Sequence, residues 1–98
     1  MEMFLVEHYR PGLSTERLTA AVVEVRAAAA ALATEGQAVL YVRSTIVPGD
    51  EAYLSLFEAA SAADVRAAYS RAGVPFERIS EAIPAEPDLK EKRCTERP

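Results

Sequence analysis

The chain carries one histidine, His8, set between a carboxylate, Glu7, and a phenol, Tyr9. An imidazole can ligate a divalent metal or shuttle a proton near neutral pH. A carboxylate close by could share either task, as a second ligand or as an acid–base partner. A further carboxylate, Glu81, lies in another run of strand-forming residues, between Ile79 and Ile83. Glu7, His8 and Glu81 are therefore the candidate catalytic and metal-ligating residues. Two carboxylates among apolar neighbours repel one another, so they must share a proton, pair with a cation such as Arg43, or hold a metal ion. The plainer alternative makes each a solvated strand residue or half of an inter-subunit ion pair, and makes His8 a strand-end histidine near the surface.

Much other chemistry has no footing in the sequence. It contains no G-x-S-x-G elbow and no cysteine–histidine arrangement, and its 4 glycines form no phosphate-cradling loop. The single Cys94 has no partner for a disulfide or a thiolate cluster. A formal charge of −4, with no Lys/Arg cluster before the C-terminal segment, argues against nucleic acid. No run approaches the roughly 20 apolar residues of a spanning helix, and the N-terminus lacks the basic-then-apolar layout of a signal peptide. No membrane partner is expected, and the cytoplasm is the default location.

The elements that must position the three candidates are legible from periodicity. Residues 4–9 read as a buried strand, ended by Arg10-Pro11-Gly12. Ser14 caps a helix whose stripe is Leu18, Val22, Val25, Ala29 and Leu32, and Gly36 ends it. Residues 37–47 form a second strand, Pro48-Gly49-Asp50 a turn, and residues 52–58 a third strand. Ser61, with Asp64 three residues on, starts a second helix with the stripe Val65, Ala68, Tyr69 and Ala72, closed by Gly73. Residues 76–83 make the last strand. The order βαββαβ predicts an α+β, ferredoxin-like sandwich with two helices on one face of a four-stranded antiparallel sheet. Residues 1–84 form the domain, and residues 85–98 an extended or disordered tail.

Strand alternation places Leu5, Glu7 and Tyr9 on one face and Phe4, Val6 and His8 on the other. Small aliphatic residues suit an alanine-rich helix, so Ala52, Leu54 and Leu56 are expected beneath the helices. The uncovered face would then carry Leu5, Glu7, Tyr9, Tyr53, Ser55, Phe57, Ile79 and Glu81. Such a face is too apolar for water. A second copy of the chain should cover it, giving a homodimeric α+β barrel, with Tyr9, Tyr53, Phe57 and Ile79 lining any ligand cavity between the sheets.

The runs at residues 4–14, 56–65 and 71–81 carry a family likeness, most specifically in Leu5-Val6-Glu7, Gly73-Val74-Pro75 and Arg78-Ile79-Ser80-Glu81. Over residues 3 to about 83 the chain resembles a small uncharacterised-domain family that includes a nickel-binding, nickel-responsive-regulator-like protein. The resemblance implies a ferredoxin-like dimer that binds Ni²⁺ or another divalent metal, with Glu7, His8 and Glu81 at the matching positions. That member is richer in histidine, whereas this chain has one. Nickel favours imidazole nitrogen beside oxygen, so two chains would have to contribute to one site.

Three functions remain in view. The first is a small metal- or ligand-binding domain using carboxylates on the open face. The second is a cofactor-independent isomerase, cyclase or monooxygenase-like enzyme acting on a small apolar metabolite, with Glu7, Glu81 or His8 as acid or base, Tyr9 and Tyr53 positioning the substrate, and Tyr41 a weaker candidate. The third is a structural dimerisation module.

Overall fold

A computed structural model describes residues 1–85. Strand β1 (Glu2–Tyr9) is followed by helix α1 (Thr15–Thr34), strand β2 (Val39–Val47), a 3₁₀ turn (Pro48–Asp50), strand β3 (Ala52–Ala59), helix α2 (Ala62–Ala72) and strand β4 (Arg78–Ala82). The sheet has the order β2-β3-β1-β4 with every pairing antiparallel. This is the ferredoxin-like α+β fold. The proposed tail lies, apart from Ala85, outside the described residues.

Local chemistry sets the element ends. Ser14 Oγ accepts from the Arg17 backbone N–H at 3.2 Å and caps α1. Gly73 closes α2 in the left-handed region at φ 69°, which a side chain would disfavour. Ser61 differs from expectation: its hydroxyl donates to Asp64 Oδ2 at 3.2 Å instead of capping a backbone N–H. Strand β4 starts at Arg78, not at residue 76, because Phe76 turns inward to meet Tyr69 edge-on at 5.2 Å.

Both helices lie on one face and bury Leu18, Val25, Ala28, Ala29 and Leu32 of α1 and Val65, Ala68 and Tyr69 of α2. The sheet side of this core holds Phe4 and Val6 of β1, Val39 of β2 and Phe57 and Ala59 of β3. The expected face of β1 is therefore right, and that of β3 is reversed. The register pairs Phe4 with Phe57, Val6 with Ser55 and His8 with Tyr53, so the aromatic set of β3 lies beneath the helices. Interiors fill to crystal-like density. Alanines on the helices leave volume that only large sheet residues can fill, so large meets small.

Strand β4 is likewise turned over. Ile79 pairs with Val6 and packs against the helix-side core, while Arg78 pairs with Glu7 on the other face. Glu81 pairs with Phe4 and belongs to the helix side, where its position on an edge strand leaves it exposed. Glu7 and Glu81 consequently lie on opposite faces of the sheet and do not form a pair.

Candidate functional site

Alternation along β1 divides the expected site between two environments. His8 enters the helix-side core, where it is 2 % exposed, in place of the surface position expected for a strand end. Glu7, one residue earlier, points to the uncovered face.

The His8 environment is fully specified. Its ring lies parallel to that of Tyr53, with centroids 3.7 Å apart and planes 7° from each other. Nδ1 is 2.8 Å from the Tyr53 carbonyl oxygen, which can only accept, so Nδ1 carries the proton. Nε2 then accepts from the Tyr69 hydroxyl at 2.7 Å. Burial pulls the imidazole pKa down to about 4, helped by the Arg10 cation and opposed by the Tyr53 carbonyl and Glu77. Burial also pushes the Tyr69 phenol above its ordinary range, with the Ser55 hydroxyl opposing that rise.

A second group of hydrogen bonds lies nearby. Ser55 Oγ lies 2.6 Å from Ser44 Oγ, which accepts from the Tyr41 hydroxyl at 2.9 Å. Because the Tyr53 end is a carbonyl, the donors at His8 run in one direction, from Tyr69 to His8 to Tyr53, with the Tyr41–Ser44–Ser55 group beside them. Above this cluster Glu77 accepts from the Tyr9 backbone N–H at 2.7 Å and pairs with Arg10 at 3.1 Å. That backbone bond, followed by the Arg10 contact, holds the Glu77 carboxyl below its usual range. In this geometry the one lone-pair nitrogen of His8 is occupied by the Tyr69 hydroxyl, inside a packed core. The ring ties β1 to β3 and α2.

The uncovered face is different in character. Glu7 Oε2 accepts from Arg78 Nε at 2.8 Å and from Nη2 at 2.6 Å, so its cation is Arg78, not Arg43. Around this pair lie the aliphatic side chains of Met3, Leu5, Leu54 and Leu56, all only partly buried. Leu5, Leu54 and Leu56 floor a depression of about 210 Å³ with Arg43 and Thr45 at its rim. It adjoins a second of about 550 Å³, which shares Arg43 and Leu56 and adds Met3, Val42 and Glu58.

Of the expected cavity-lining residues, Tyr53, Phe57 and Ile79 belong to the helix-side core, and Tyr9 sits at the end of β1, 52 % exposed. Sequence reasoning missed Leu54 and Leu56 on the open face, Arg78 as the partner of Glu7, and the Tyr69 hydroxyl and Tyr53 carbonyl as the partners of His8. The opposite charges of Glu7 and Arg78 would have pointed to their pairing once an antiparallel β1–β4 register was drawn.

Among the described residues no three His, Cys, Asp or Glu side chains come together as a metal-binding group. No helix among them is long and apolar enough to cross a membrane.

The fold and the sequence both have counterparts. The crystal structure of SCO4226 from Streptomyces coelicolor A3(2) superposes with a TM-score of 0.67 at 20 % identity, covering 86 % of this chain and 99 % of that one. At that identity the likeness speaks for the fold. A search of curated proteins gives no match. The family described as nickel responsive protein SCO4226-like matches residues 4–82, which is most of the chain. The chain accordingly belongs to the nickel-responsive SCO4226-like family.

Proposed function

We propose that the protein is a small ligand-binding domain that works as a homodimer, with the uncovered sheet faces of two copies meeting around a shared apolar compartment. One observation carries this reading: Met3, Leu5, Leu54 and Leu56 form a contiguous aliphatic surface on the face no helix covers, edged by Arg43, Glu58 and the Glu7–Arg78 pair. A contiguous apolar patch of this kind marks a surface that another surface or a ligand covers. A second copy is self-complementary by symmetry. Light scattering on the purified chain at tens of micromolar tests it. Twice the chain mass supports the reading, and a monomer at that concentration removes it.

The family's description favours a second reading, in which the ligand is nickel. The residues first implied for it do not fit a centre within one chain. His8 Nε2 is committed to Tyr69, Glu7 is committed to Arg78, and Glu81 lies across the sheet from Glu7. Nickel on this chain would require donors from more than one copy or from beyond the described residues. Calorimetric titration with Ni²⁺ on the wild type and on Glu7→Ala and Glu81→Ala decides the matter. Saturable binding weakened by either substitution supports that residue as a ligand. Saturable binding unchanged in both removes Glu7 and Glu81, and absence of binding removes the nickel reading.

A further inference from the structure

The depression floored by Leu5, Leu54 and Leu56 has a cation at its edge that makes no ion pair or hydrogen bond with any described residue. That cation is Arg43. Its position is itself a built feature. Strict alternation from Tyr41, which faces the helices, would send Arg43 to the helix side as well. Between Tyr41 and Arg43 the β2–β3 register shifts, and the bulge turns Arg43 onto the open face opposite Leu56. The same shift returns Ser44 to the helix side opposite Ser55, where it hydrogen-bonds with Ser55 and Tyr41. Bulges characteristically re-aim a side chain in this manner.

Among the described residues, the charge left over at this depression is therefore positive. Glu7 is neutralised by Arg78, and Glu58 lines the neighbouring depression without pairing with Arg43. Thr45, opposite Leu54, adds a hydroxyl at the rim. An aliphatic floor with one guanidinium unpaired among the described residues and one hydroxyl at its edge matches an amphipathic anion: a hydrocarbon tail for the leucines and a carboxylate for Arg43, arginine being able to bind carboxylates with paired donors.

We propose that the open face binds a medium-chain aliphatic monocarboxylate, its head group on Arg43 and Thr45 and its tail across Leu5, Leu54 and Leu56. A volume of about 210 Å³, at about 30 Å³ per water-sized unit, holds roughly seven such units, the size of a medium-chain acid. The assignment rests on the ligand-binding reading above and gives it a substrate class.

Octanoate titrated into the full chain, followed by backbone amide NMR shifts, tests it, with octylamine and Ni²⁺ as parallel probes. The expected result is saturable octanoate binding with shifts at Leu5, Leu54 and Leu56. Arg43→Gln should weaken it about tenfold or more, Arg43→Lys should restore part of the loss, and octylamine should bind more weakly than octanoate. Arg43 is exposed, so both variants should keep the wild-type spectrum elsewhere. Undiminished binding in Arg43→Gln, or octylamine binding as well as octanoate, overturns the assignment. Binding of octylamine or Ni²⁺ without octanoate overturns it while leaving a ligand-binding domain. No binding of any probe by a chain that is also monomeric overturns both.

Discussion

The Tyr69 hydroxyl donates to His8 Nε2 across 2.7 Å and joins α2 to the central strand β1 through residues 61 positions apart. The bond has a direct energetic test. Tyr69→Phe keeps the ring and its edge contacts with Phe57 and Phe76 but leaves Nε2 buried without a donor. An unsatisfied buried acceptor costs about 1–3 kcal/mol. Thermal unfolding of this variant should fall by several degrees or more with the fold retained, measured by circular dichroism, and an unchanged midpoint would mean that the bond carries no weight.

Acid should weaken the protein through the same histidine. Its pKa is about 4 in the folded chain against 6.5 when unfolded, so between those values the unfolded state binds the extra proton. Stability from this source is complete above pH 6.5 and is lost progressively as pH falls to about 4. The span corresponds to about 3 kcal/mol. Glu77, whose pKa is lowered, loses its contribution only as the pH falls below its unfolded value of 4.5. Urea unfolding between pH 7 and pH 4.5 should show the falling stability in the wild type, and a His8→Gln variant should show a much flatter profile.

The reversed face of β3 makes a paired prediction. Phe57 is fully buried among Phe4, Tyr41 and Tyr69, so Phe57→Ala should cost about 3–5 kcal/mol. Leu54→Ala, on the open face, should cost far less in the isolated chain. Chemical denaturation of both variants at low protein concentration checks the order, and a larger loss at Leu54 would restore the original face assignment.

The Glu7–Arg78 pair should matter little to folding. Both side chains are substantially exposed, 34 % for Glu7 and 69 % for Arg78, and surface pairs contribute at most about 1 kcal/mol. Arg78→Ala should leave the unfolding midpoint within a few degrees of wild type. A large loss would show that the pair is buried against another surface in the working protein.

The element order and the helix stripes could be read from the sequence because periodicity and capping are local signals. Ser14, Leu18, Val25 and Gly73 announced their roles within a few residues of themselves. The β3 face could not be read in that way. Tyr53, Ser55 and Phe57 alternate with Leu54 and Leu56, and both sets are apolar enough to be buried. Only the long-range register with Phe4, Val6 and His8 separates them. The same long-range register parts Glu7 from Glu81, which alternation within each strand leaves undecided. His8 misled for a related reason. Its neighbours in sequence, Glu7 and Tyr9, suggested a polar strand end, whereas its partners are Tyr53 and Tyr69, which lie 45 and 61 residues away. The bulge that delivers Arg43 to the open face leaves no glycine or proline mark in residues 37–47 and becomes visible only in the pairing of β2 with β3.

Coverage of the aliphatic face bearing Leu5, Leu54 and Leu56 by a second copy of the chain is the proposal on which the ligand-binding reading stands. Sedimentation equilibrium of the wild type beside Leu54→Glu tests it most directly, because a carboxylate there should break association and leave the helix-side core intact. A wild-type dimer and a folded monomeric variant are expected. A monomeric wild type, or a Leu54→Glu variant that remains dimeric, would contradict it.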